Sequence, residues 1–238
     1  MERFPTPAQL QQAGRRQWEK FLHAHKLWRP QSTEMRLAVF ARATALSGSP
    51  AAVAAKSLLA VTLVRLLQPL ESQLDQYRAR IEEMFSRHPD HDLFGSLPGT
   101  GPKLAPRLLA ELGDNRARFD DVVGLQCLAG TAPVTRRTGQ GKPHQHLRWA
   151  CDHTLRATVH QWADHSRDRC AWAQVYYQKH RDAGQSHACA LRCLGQRWLK
   201  ILWAMWQTRT PYDESLHARN QVRHGSWVLA LQPSPPNP

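Results

Sequence analysis

Apolar positions along this chain recur at helical spacing and hardly anywhere alternate with period two, so the pattern predicts an all-α protein. Thr6 followed by Pro7 reads as an N-cap with proline at the first helical position, opening a helix through about His23. Ser32 or Thr33 opens a second helix to about Thr44. Ser49-Pro50 opens the longest, which runs to about Arg87 before His88-Pro89 stops it. Within it Leu63, Leu67, Leu70, Leu74, Tyr77, Ile81 and Met84 step alternately by four and three, an a/d seam of roughly three heptads. Such a seam serves a homodimer or packing within its own domain, and the pattern leaves both open. Pro69 sits inside the seam and is expected to kink the helix or remove one hydrogen bond.

Beyond a loop at 88–92 the composition turns Gly- and Pro-rich, which marks a boundary. Helices are expected at 102–112, 120–128, 146–183 and 186–208, with Asp120 as an N-cap and Gly113, Gly130 and Gly184 at helix ends. The last of these is apolar through Ala190, Leu194, Trp198, Ile201, Leu202 and Met205, a stripe read as core rather than as a base-stacking platform. The division is therefore a helical linker and coiled-coil region at 1–90, a helical domain at 91–216 and a disordered tail at 217–238.

LPGTGPKLAPRLLAELG (97–113) has the form of a helix-hairpin-helix: a short helix at about 92–96, a turn at Gly99-Thr100-Gly101, then an amphipathic helix. Glycines let backbone N–H groups approach a phosphate, and the helix N-terminus with Lys103 adds positive charge. Such contacts hold a nucleic-acid backbone without reading its sequence. Pro106 lacks a donor inside the first turns, so the second helix is expected to start late. A packing hairpin without a ligand is the plain alternative.

Charge gives that reading weight. Lys and Arg number 32 against 19 acids, a net charge of +13, which points to a polyanionic partner, DNA first. The excess is focused: residues 134–160 carry Arg136, Arg137, Lys142, Arg148 and Arg156 against Asp152 alone. Each of these cations can neutralise a phosphate. MERFPTPAQL lacks the apolar core of a signal peptide, and Lys56, Arg65 and Pro69 break the most apolar run, so no membrane partner is expected. The five cysteines form no C-x-x-C pair, which fits a reducing cytoplasm. His144, His146 and His153 near Cys151 lack the spacing of a structural zinc site, so no metal is expected.

Several runs carry a family resemblance: SLPGTGPKLAPRLLAELGD, RFDDVVGLQCLAGTAPVTRRTGQ, HLRWACDHTLRATVHQWA, YYQKHRDAGQSHACALRCLGQRWLKILWAMW and TPYD. In this order they resemble the C-terminal domain of the insertion-sequence-110/Piv transposases, and the helices before His88 resemble that family's linker and coiled coil. The resemblance implies DNA transposition, with some members guided by an element-encoded RNA. It further implies a serine nucleophile in a Ser-Gly pair, and four carboxylates holding Mg²⁺ in a separate RuvC-like domain. Here the Ser-Gly position is Thr138-Gly139, and no serine lies between Ser96 and Ser166. The carboxylate domain is expected to be absent from this chain, so no cofactor is expected here and Mg²⁺ only with that domain.

Two other readings compete. One is a non-catalytic DNA-binding and dimerising remnant of a transposase, suggested by Thr138. The other is a base-excision glycosylase, because Lys103 and Asp121 fall at the lysine–aspartate spacing of helix-hairpin-helix glycosylases. That reading lacks the iron–sulfur cysteines of some members and their preceding helical domain. The site residues expected on the transposase reading are Thr138 as nucleophile position, with Gly99, Gly101, Lys103, Arg136, Arg137, Gly139, Lys142, Arg148 and Arg156 on DNA.

Overall fold

The structure, a computed structural model, describes residues 3–42, 49–137, 139, 141–142 and 144–226. Among them are ten α-helices, one 3-10 turn and one two-stranded ribbon, so the all-α expectation holds apart from the ribbon. The chain forms two compact units, residues 1–79 and 80–238.

The first unit holds α1 (Pro7–Ala24), α2 (Pro30–Ala41) and the larger part of α3 (Pro50–Ser86). Thr6 caps α1 as its sequence position implies, its hydroxyl accepting from the Gln9 N–H at 3.2 Å. Gly14 departs from helical geometry, with φ +66° and ψ 169°, and interrupts α1 there. Trp18 anchors a small core with Ala13 and Leu22, stacking on Phe40 of α2 at 4.3 Å between ring centroids. Arg15 bridges Glu19 on its own helix and Glu34 on α2.

α3 is continuous through Pro69, and none of its residues is buried. The expected seam is exposed at every position, from Leu63 at 51% through Tyr77 at 64% to Met84 at 61%. Packing of the seam within its own domain, one of the two readings left open, is therefore not what the structure shows. One 18-residue window of α3, with mean hydropathy 1.6, is long and apolar enough to cross a membrane on those two criteria alone.

The second unit is built on α7 (His153–Arg167), α8 (Ala171–Asp182) and α9 (His187–Thr208), which pack on one another. Around them lie α4 (His91–Gly95) and α5 (Gly101–Leu112), α6 (Val122–Leu128) against α9, and α10 (Glu214–Arg223). Trp162, Trp198 and Trp206 are fully buried, with Trp172 at 2% exposure, and the α9 stripe is core as its spacing implies. A buried tryptophan N–H favours an acceptor, and three of these four have one, Trp206 being the exception. Trp162 donates to the Pro98 carbonyl at 2.9 Å, Trp198 to the Ser166 hydroxyl at 2.8 Å and Trp172 to the Tyr212 hydroxyl at 3.0 Å. Gly195 allows the α7–α9 approach, since a Cβ there would stand 2.8 Å from Val159 Cγ1.

Five expectations need correction. The second helix, expected to open at Ser32 or Thr33, starts at Pro30 with Arg29 at its N-cap. The helix expected over 146–183 is two helices, α7 and α8, broken at Asp168–Cys170, where Cys170 turns extended (φ −144°) and buries its side chain. Its expected first residue, His146, instead ends β2 (His144–His146), antiparallel to β1 (Val134–Arg136) with Arg136 opposite His144, and residues 147–152 are loop. α6 starts one residue late because Asp121, not Asp120, accepts the Gly124 N–H at 2.9 Å. α5 begins at Gly101 and runs through Pro106 without delay, the buried proline ring contributing to the core what its missing N–H cannot. α10 also occupies the start of the stretch expected to be disordered from 217, while residues 227–238 lie outside the described residues.

Candidate nucleic-acid interface

Residues 130–156 fold at the N-terminal end of α7. Gly130 has φ +64°, and a Cβ there would stand 2.7 Å from Cys151 Sγ and 3.2 Å from Arg156 Cδ. Only glycine lets the chain leaving α6 pass so close to both. The Asp152 N–H donates to the Leu128 carbonyl at 2.8 Å, which ties the far end of the segment back to α6. The Asp152 carboxylate caps α7, accepting from the N–H groups of Thr154 and Leu155 at 2.8 and 2.9 Å. Arg148 Nε donates to the Ala132 carbonyl at 3.3 Å and closes the base of the ribbon.

Between those anchors β1 and β2 project outward, with Arg136, Arg137, Gly139, Lys142, His144 and His146 all exposed. Among the described residues Arg136, Arg137 and Lys142 enter no ion pair, and the sequence holds no acid between Asp121 and Asp152. Uncompensated cations on a protruding ribbon raise local positive potential where a polyanion arrives. Other arginines are spent internally. Arg116 pairs with buried Asp90 at 2.5 Å and donates to the Trp206 carbonyl, and Arg118 donates to the last carbonyls of α5.

Arg156 lies on α7 behind the ribbon, where its Nη2 meets His153 Nδ1 at 2.7 Å and its Nη1 is buried without a partner. His160, one turn on, is held below the usual histidine range by burial first, then by Arg192, Arg156 and His187. It therefore stays neutral near pH 7 and adds no charge to the face.

The structure separates the two stretches that the sequence pairs as DNA contacts. Gly99, at φ +81°, packs against the other end of α7, where a Cβ would stand 2.6 Å from the Ser166 backbone nitrogen. Ten residues of helix separate Arg156 from Ser166, about 15 Å along the axis. The close approach at Gly99 is thus to the protein's own backbone. Gly101 and Lys103 are exposed in the first turn of α5. Asp121, the aspartate of the glycosylase reading, is engaged as the α6 cap. Thr138 lies outside the described residues.

Among the described residues no three His, Cys, Asp or Glu side chains gather to hold a metal ion. They offer no carboxylate set for the Mg²⁺ that the resemblance implies. A cavity of about 650 Å³ lies between α9 and α10, apolar, lined by Ile201, Met205, Tyr212 and His217 among others, and it shares no residue with the ribbon. His217 is pushed down to about 4 by burial, then by Arg197. Sequence reasoning missed the ribbon itself and Trp149, which stands exposed at its foot.

An all-α domain with an acid-free cationic ribbon at one helix end defines the class, a helical protein with a basic, protruding loop. Residues 91–178 match the model of the Transposase IS116/IS110/IS902 family. The chain is 36% identical over 155 residues to the mini-circle putative transposase for IS117 of Streptomyces coelicolor, covering 64% of this chain and 37% of that protein. It is 31% identical over 223 residues to an uncharacterized 42 kDa protein of insertion element IS900 from Mycobacterium paratuberculosis, covering 88% and 52%. An uncharacterized 43.6 kDa protein of insertion element IS110, also from S. coelicolor, is 26% identical over 92% of this chain and 53% of its own length. Residues 91–178 thus carry the IS116/IS110/IS902 transposase domain, and the chain spans about a third to a half of the length of these relatives.

Proposed function

We propose that this chain binds DNA and acts in transposition, site-specific DNA strand exchange, as the part of an IS110-type transposase that carries the nucleophile loop. The observation that carries the reading is the ribbon: unpaired arginines and a lysine, no acid within the segment, inside the region matched by the family model. Arg136, Arg137, Gly139, Lys142 and Arg148 form the main contact with phosphates. Arg156 supports the ribbon from α7, and Gly101 and Lys103 make a second contact with the backbone as a helix-hairpin-helix does. The segment is expected to position a strand at Thr138, with the Mg²⁺-binding carboxylates supplied by a RuvC-like domain. An element-encoded guide RNA is a further partner that the family resemblance supports. The exposed seam of α3 pairs two copies. A protein with this role works in the cytoplasm, at the nucleoid.

Electrophoretic binding to duplex DNA across a salt series tests the reading. Binding should weaken steeply from low to physiological salt and fall when Arg136 and Arg137 are both replaced by alanine. Absent or salt-independent binding overturns it. Thr138 favours one second reading, a member that binds DNA without cleaving it.

A further inference from the structure

Trp149 is 72% exposed, more than any other large apolar side chain described. The other described tryptophans are buried or half-buried: Trp162, Trp198 and Trp206 at 0%, Trp172 at 2%, Trp18 at 9%, with Trp28 and Trp203 between. Leaving an indole in water forgoes a large hydrophobic gain, but a lone exposed apolar side chain is common, and it is the charge around this one that singles it out. Its position is fixed from both sides. Arg148, its neighbour, is tied to the Ala132 carbonyl, and Asp152, three residues on, is tied to the Leu128 carbonyl and caps α7. The ring therefore stands on a held backbone at the foot of the ribbon, three residues past His146, which pairs with Val134.

Everything exposed around it in the chain is cationic or neutral: Arg136 is paired with His144 across the ribbon, Arg137 and Lys142 are exposed, and no acid lies between Asp121 and Asp152. A cationic track beside an exposed aromatic ring is the arrangement that holds single strands, phosphates on the cations and a base on the ring. Paired bases already stack on their neighbours and offer no free face, so the ring discriminates for an unpaired one. We propose that Trp149 is a stacking platform for an unpaired base of a DNA strand whose phosphates lie on Arg136, Arg137 and Lys142. This rests on the DNA-binding reading above and adds the state of the strand: locally single, as strand exchange requires.

The test compares the full chain with its Trp149→Ala and Trp149→Phe variants, binding a labelled oligo(dT) and a mixed-sequence duplex of equal length, read by fluorescence anisotropy at fixed salt. The alanine variant should lose roughly 5- to 100-fold in affinity for oligo(dT), with phenylalanine retaining most of it. Duplex affinity should stay unchanged in both. Oligo(dT) binding by the alanine variant equal to wild type, while duplex binding persists, overturns the stacking role and leaves DNA binding standing. Equal losses on both nucleic acids, shared by the phenylalanine variant, mark a structural role and also overturn it. No binding of either nucleic acid by the unaltered chain fells the DNA-binding reading and this one with it.

Discussion

Two single residues carry different kinds of burden. Gly99 is fixed by geometry: φ +81° excludes most side chains, and a Cβ would press on the Ser166 and His165 backbone. Backbone cannot yield as a flexible side chain does, so Gly99→Ala should destabilise the second unit by about 2–4 kcal/mol. Thermal unfolding should show a clear drop in midpoint, whereas Gly101→Ala, with open space at its Cβ, should meet only the strain of φ +57°. Thr138 is a chemical question instead. A secondary hydroxyl is a bulkier, stiffer nucleophile than serine. If it holds the family's nucleophile position, Thr138→Ser together with a RuvC-like domain should increase covalent protein–DNA adducts on a denaturing gel. No adduct from the serine variant counts against that assignment.

At the scale of elements, the long helices were legible because burial on one face imposes the 3.6-residue period, and caps mark their ends. Thr6 and the Trp198 stripe behave as their spacing implies. The ribbon was not legible, because strands reveal themselves by alternation and this one is exposed almost throughout, leaving no buried face to imprint a pattern. The break between α7 and α8 is equally silent: Asp168-Arg169-Cys170 contains no glycine or proline, and Cys170 there is extended and buried. Trp149 was hidden for a related reason, since composition cannot tell one tryptophan that tertiary packing leaves outside from those it covers. Of the candidate site, the cations were readable as charge, but their grouping at one end of α7, apart from Gly99, required the fold. The seam of α3 was readable in full, and its exposure makes self-association the expectation: Leu67→Glu with Leu74→Glu should convert a dimer to a monomer in sedimentation. A wild-type chain that sediments as a monomer at all concentrations would contradict it.

At the scale of the whole chain, the second unit is a helical scaffold whose described residues include an acid-free basic ribbon. The core of the second unit, centred on Trp162 and Trp198, fixes α7 against α9, and Asp152, which caps α7 and bonds the Leu128 carbonyl, ties the end of the ribbon segment to that core. A net charge of +13 alone would give loose attraction to any polyanion. The proposed interface concentrates that charge in a segment with several cations and no acid, closed at its base by a hydrogen bond. The most direct test is the slope of log affinity for duplex DNA against log salt, compared between the unaltered chain and the variant with both Arg136→Ala and Arg137→Ala. Loss of two phosphate contacts should make that slope shallower by about 1.8. An unchanged slope would show that the ribbon does not hold DNA.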